Sequence, residues 1–175
     1  ESALAELEQD RFYRCAIYLY LPAQYLSLVF ACWFWSGGGA VVLSELDKVG
    51  LMLTVGGIAG VAINAAHEMG HQRAQSERWL SKVALAQSGY GQFYVEHNRG
   101  HHARVATAQD PASSRLGENV YLFHYRSIFG SLRSAWRIER RRLARLGKPA
   151  WTLQNDILNA WLMSIVLFAA LVLGF

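Results

Sequence analysis

Cysteine is scarce in this sequence. Its 175 residues hold two, Cys15 and Cys32, which on one helix would lie 17 residues and about 25 Å apart. That separation is beyond the reach of a disulfide, so a disulfide scaffold is excluded and both read as small buried apolar side chains. Charge is scarce too, at 17% against about 25% for a typical soluble domain. With 53% apolar residues, a disordered chain and a coiled coil are also excluded. The first residues lack a basic stretch leading into an apolar run. Residues 1–14 carry four acids instead and do not read as a cleavable signal peptide, so internal segments are expected to direct targeting.

What is present is long uncharged runs. Cys15 to Ser44 is a run of 30 residues without a charge, Val49 to Ala66 one of 18, and Ile157 to Phe175 one of 19. Crossing a hydrocarbon core takes about 20 helical residues, with about 17 as the lower limit. Lipid leaves no backbone group unpaired, so these runs are expected to be helices. The reading is an all-α integral membrane protein with spans at about 16–35, 49–66 and 157–175. Pro22 falls in an early turn of the first, and Trp33, Phe34 and Trp35 at its far end suit the headgroup level. Glu45, Asp47 and Lys48 form a short return segment. Gly56, Gly57, Gly60, Ala62 and Ala65 give the second span a small-residue face, for close helix packing rather than for room around a ligand.

Fourteen of the 17 Lys and Arg fall between His67 and Asn155, against six acids, a balance of +8. The positive-inside rule puts this segment, 67–156, in the cytoplasm, and Arg11 and Arg14 agree. Within it Ser76 is the expected N-cap of a helix carrying Trp79, Leu80, Val83 and Ala84. Asp110, Pro111, Ser113 and Ser114 mark a loop. Ser131 to Leu146 reads as a basic amphipathic helix ended by Gly147 and Pro149. Its arginines suit an anionic leaflet or an acidic partner; with no recognition module, nucleic acid is not expected to bind.

Five of the six histidines fall in two short strings. In His67-Glu68-Met69-Gly70-His71, residues four apart share one helix face. In Glu96-His97-Asn98-Arg99-Gly100-His101-His102, His97 and His101 repeat the spacing and His102 lies about 100° round. One such pair is common on a surface, but two beside apolar helices point to a metal. Imidazole suits iron, zinc and copper alike. The first string also fits the HExxH of a zinc metalloprotease, here an intramembrane one, with Glu68 as general base. That reading leaves the second string unused. His124, isolated among aromatics, reads as a packed or interfacial residue.

EHNRGHH (Glu96 to His102), RVAT (Arg104 to Thr107), DPASSR (Asp110 to Arg115) and HEMGH (His67 to His71) resemble the integral-membrane alkane 1-monooxygenases from about Leu7 onward. These are rubredoxin-dependent alkane hydroxylases of the membrane fatty-acid desaturase and hydroxylase superfamily. A xylene-type monooxygenase and a fatty-acid desaturase share the same kind of boxes. The resemblance implies a six-helix bundle in the bacterial inner membrane, with two iron ions held by histidines at the cytoplasmic end. It implies hydroxylation of the terminal methyl of n-alkanes with O2 and electrons from rubredoxin, itself served by rubredoxin reductase. His67, His71, His97, His101 and His102 would be iron ligands, and His124 has no counterpart. Glu68 and Glu96 would be acceptors that orient imidazoles, with Asn98, Arg99 and Asp110 placed around the metals. Residues 1–175 would be part of a single hydroxylase domain. Family members carry a third histidine box and one further histidine downstream, so a segment of a longer protein is expected.

Overall fold

The structure, a computed structural model, describes residues 11–39 and 41–175, and the acidic stretch before Arg11 lies outside them. Among the described residues there is no strand. Three of the described helices are long and apolar enough to cross a membrane: α1 (Arg11–Trp35), α2 (Glu45–His71) and α7 (Asp156–Gly174). Between α2 and α7 run α3 (Gln75–Ala86), α4 (Gln92–Glu96), a π-helical turn (His97–His101), α5 (His102–Arg104) and α6 (Val120–Arg145).

Several boundaries differ from expectation, each for a local reason. Glu45, Asp47 and Lys48 are not a return loop but the first turn of α2. The Ser44 hydroxyl accepts the Asp47 amide at 3.2 Å, and the Asp47 carboxylate accepts the Ser44 amide at 2.9 Å. That reciprocal pair satisfies two of the amides a helix start leaves free. Ser76 is not a cap; α3 starts at Gln75 after Ala74, with no side-chain cap. The basic helix α6 starts at Val120 rather than Ser131, because Asn119 accepts the Leu122 amide at 2.9 Å. Gly130 lies inside it against Pro111, where a Cβ would come within 2.8 Å. Pro22 sits in the interior of α1.

α3 does not stay beyond the ends of the long helices. It runs parallel to α1, tied by Tyr18 and Arg14 to Glu77 at one end and at the other by Gln24 Nε2 and Tyr25 Oη, donating to the carbonyls of Ala84 and Val83 at 2.9 and 2.6 Å. Ser81 Oγ donates to the Ala66 carbonyl at 2.6 Å and so fastens α3 to α2. Where these helices meet α4, α6 and α7, the core forms from Leu21, Ala66, Met69, Leu85, Val95 and Ile157.

The outer faces of α1, α2 and α7 stay open, as lipid-facing helices do. Gly56, Gly57 and Gly60 are exposed, and a Cβ on any of them would meet nothing within 4 Å, so the described helices leave these three open, whereas Ala62 of the same set is fully buried and Ala65 half-buried. Cys15 is exposed and Cys32 half-buried, contrary to the buried reading.

Candidate metal centre

The two histidine strings converge. α2 ends in His67-Glu68-Met69-Gly70-His71, and its last turn faces the π-helical turn that follows α4. His71 Nε2 lies 3.1 Å from His67 Nε2 and 3.2 Å from His97 Nε2, and His102 Nε2 lies 3.0 Å from His97 Nε2. The available ligand atoms of these four residues all fall within 4.8 Å of one another. Two nitrogens on one metal at about 2.1 Å stand about 3.0 Å apart at a right angle and about 3.4 Å apart at the tetrahedral angle. The three close separations match that range. This donor set fits an imidazole-binding metal.

Backbone geometry selects which histidines meet. On an α-helix His97 and His101 would share a face. Here the His97 carbonyl accepts from the His102 amide, an i to i+5 bond that lengthens the turn by one residue. His102 therefore joins His97, and His101 is displaced. The His101 ring stacks on His97 with centroids 5.5 Å apart, while its Nδ1 meets Asp110 Oδ2 at 2.8 Å.

Two carboxylates fix imidazole orientation. Glu68 Oε1 lies 2.9 Å from His67 Nδ1, and Asp110 holds His101, so in both rings Nε2 is the nitrogen left for a metal. Burial alone would raise the Asp110 carboxyl. Hydrogen bonds from Ser113, the Ala112 amide and His101 outweigh it and hold the group below the ordinary carboxylate range. Burial, followed by the charges that the neighbouring histidines would carry, lowers His97 to about 3. It is thus a neutral base at pH 7, the form that binds a metal.

The remaining expected neighbours turn elsewhere. Glu96 faces no imidazole as a partner; its Oε1 accepts from Arg104 Nη2 at 2.7 Å, and burial raises its carboxyl. Asn98 Nδ2 donates to the Tyr94 carbonyl at 2.8 Å. Arg99 reaches away to Glu139 and Asp156. His124 is neither packed nor in the cluster: it is exposed, with Nδ1 on the Val120 carbonyl of its own helix at 2.8 Å.

Sequence reasoning missed Phe93, whose ring stacks on His97 at 4.8 Å. Spacing of four from His97 was the available signal. Behind these rings lies a cavity of about 170 Å³, lined in part by Tyr90, Phe93, Glu96, His97 and His101. A larger apolar cavity of about 540 Å³ lies between the far ends of α1, α2 and α7. Its lining residue Val55 is about 24 Å along α2 from His71, too far for any chemistry at the imidazoles.

The fatty acid desaturase family profile matches residues 48–175. Alkane 1-monooxygenase 1 of Alcanivorax borkumensis is 42% identical over 175 residues, covering 100% of this chain and 43% of that protein. Alkane 1-monooxygenase of Pseudomonas putida gives the same 42% over 175 residues, with 100% and 43% covered. Alkane 1-monooxygenase of Ectopseudomonas oleovorans is 41% identical over 171 residues, 98% of this chain and 42% of that protein. The chain spans less than half the length of the curated relatives it matches.

Proposed function

This chain belongs to the fatty acid desaturase family, and from that premise we propose that it is part of a di-iron membrane monooxygenase hydroxylating the terminal methyl of n-alkanes. The parent would be a six-helix protein of the bacterial inner membrane with its histidines on the cytoplasmic side, and residues 1–175 part of its single hydroxylase domain. The observation that carries the reading is the convergence of four Nε2 atoms from two sequence strings, at 3.0–3.2 Å along its three close contacts. A zinc protease would leave the second string idle, and Glu68, its general base, is here engaged by His67.

The reaction consumes R–CH3, O2, two electrons and two protons, and yields R–CH2OH and water. His67, His71, His97 and His102 would hold iron, with His101 offering its Nε2 beside them and further ligands from the rest of the parent. Bound there, iron supplies the redox chemistry that reduces O2 and attacks an unactivated C–H bond. The protein's part is to orient the imidazoles: Glu68 and Asp110 accept at Nδ1 of His67 and His101 and so aim Nε2. An n-alkane has no polar group, so its selection rests on shape and apolar contact. Electrons would come from rubredoxin, in turn reduced by rubredoxin reductase. Arg133, Arg137, Arg140, Arg141 and Arg145 on α6 are exposed and, among the described residues, have no carboxylate partner, which suits an acidic donor.

The test is the full-length parent in detergent: metal analysis, and conversion of an n-alkane to the 1-alkanol with reduced rubredoxin. About two irons per chain and alkanol formation are expected, with both lost in His97→Ala. Full iron content and turnover in that variant would refute the ligand assignment, and one zinc without alkanol would favour the protease.

A further inference from the structure

Arg99 lies inside the π-helical turn, between His97 and His101, yet its guanidinium points away from every imidazole. Nη1 donates to Glu139 Oε2 at 2.8 Å on α6, and Nη2 donates to Asp156 Oδ2 at 2.7 Å at the start of α7. Glu139 is fully buried, and its Oε1 also accepts the Asp156 amide at 2.8 Å. Two elements outside the turn are thereby joined, and Arg99 is the link from both to it.

A π turn needs such a link. It is uncommon and less favourable than α-helix, and persists where its surroundings impose it. Relaxed to α-helix, this segment would pair His97 with His101 and swing His102 about 100° away. Gly100 shows how closely the turn is held from another side: a Cβ there would come within 2.6 Å of Glu96 Oε1 and of Arg104 Nη2. We propose that Arg99 is a positioning residue which, through Glu139 and Asp156, holds the turn in the register that sets His102 rather than His101 beside His97. The proposal rests on the reading of the histidine cluster as a metal centre.

The surrounding charges make it testable. Without Arg99, Glu139 keeps Arg142 at 2.5 and 2.9 Å, and Asp156 keeps Lys82 at 2.7 Å. No carboxylate is stranded, so α6 and α7 stay docked while the turn is released.

The experiment titrates ferrous iron into chelator-stripped full-length protein in detergent and separately follows its thermal unfolding by circular dichroism. Arg99→Met is expected to weaken iron binding about tenfold, the lower end for groups that orient ligands, and to lower the melting of the stripped protein through the two charged hydrogen bonds it loses. Lys82→Met, which loses a charged hydrogen bond to the same Asp156 but none to the turn, is expected to lower melting and leave iron affinity at the wild-type value. Arg99→Lys, which keeps the charge but loses the fork, is expected to recover part of the affinity. Wild-type affinity in Arg99→Met overturns the proposal, as does a Lys82→Met affinity that falls as far as that of Arg99→Met. Should Arg99→Met not assemble, Arg99→Lys decides: unchanged affinity overturns, weakened affinity beside wild-type affinity in Lys82→Met supports. His97→Ala separates the two levels. If it binds iron like wild type, the metal reading fails; if it does not and Arg99→Met does, only the role of Arg99 fails.

Discussion

Removing either partner of the Lys82–Asp156 pair should have very different consequences. Lys82 is 3% exposed, with Nζ 2.7 Å from Asp156 Oδ1, 3.0 Å from Asn159 Oδ1 and 4.5 Å above the Trp79 ring. Asp156 is its one carboxylate partner among the described residues, whereas Asp156 has a second cation in Arg99 at 2.7 Å. Asp156→Asn therefore leaves a buried ammonium without a counter-charge, a situation that costs about 3–5 kcal/mol. Lys82→Met leaves the carboxylate compensated and refills the volume of the stem, so the loss is that of one charged hydrogen bond, about 1.5–3 kcal/mol. The gap of about 2 kcal/mol is roughly thirtyfold in the unfolding equilibrium. Equilibrium unfolding of the full-length protein in mixed micelles, read by helical circular dichroism, measures it. The double variant should be more stable than Asp156→Asn alone, because the stranded cation is gone. A Lys82→Met cost equal to or above that of Asp156→Asn would refute the reasoning.

Asp110→Asn should weaken metal binding about 10- to 100-fold, because the group that fixes the His101 Nδ1 proton is lost; iron titration of the stripped parent checks it, and an unchanged affinity would separate His101 from the centre. Reversing Arg137 and Arg141 to Glu should slow electron delivery about tenfold at low ionic strength, and the deficit should shrink as salt rises. Rates that ignore both substitution and salt would remove the docking surface. Arg126, donating to both Glu118 oxygens at 2.6 and 2.7 Å, lowers that carboxyl to about 2. An unfolded glutamate titrates near about 4.3, so the pair stabilises fully above that pH and ceases to as pH falls through 2. Glu118→Gln should melt below wild type at pH 7 and together with it near pH 2.

The three long helices were legible because each is an uncharged run of spanning length, and composition alone settles that. Their ends were less so. A capping box uses charged residues, so Glu45 and Asp47 resemble a loop until the Ser44 hydroxyl is seen to accept the Asp47 amide. The start of α6 was hidden for the opposite reason. Tyr121 to Phe129 is rich in exposed aromatics that carry no clear helical contrast, and Gly130 looks like a break although it is a contact point with Pro111. The small face of α2 was read as packed, and that holds only toward the histidines: Ala62 is fully buried, while the described helices leave Gly56, Gly57 and Gly60 open.

At the site, residue types were legible and register was not. Spacing of four in both strings is a property of α-helix, and it correctly pairs His67 with His71. Applied to the second string it pairs His97 with His101, whereas the chain there follows i to i+5 bonding and pairs His97 with His102. Nothing within residues 96–102 announces that change, because what sustains it lies far off in sequence: Glu139 is 40 residues from Arg99 and Asp156 is 57. The same distance explains why Arg99 was placed around the metals. A guanidinium two residues from a histidine is close to it in sequence, but a side chain of that length serves whichever carboxylates the tertiary fold brings near. Local motifs can therefore name donors for a metal, while the choice among adjacent donors is made by ion pairs between helices.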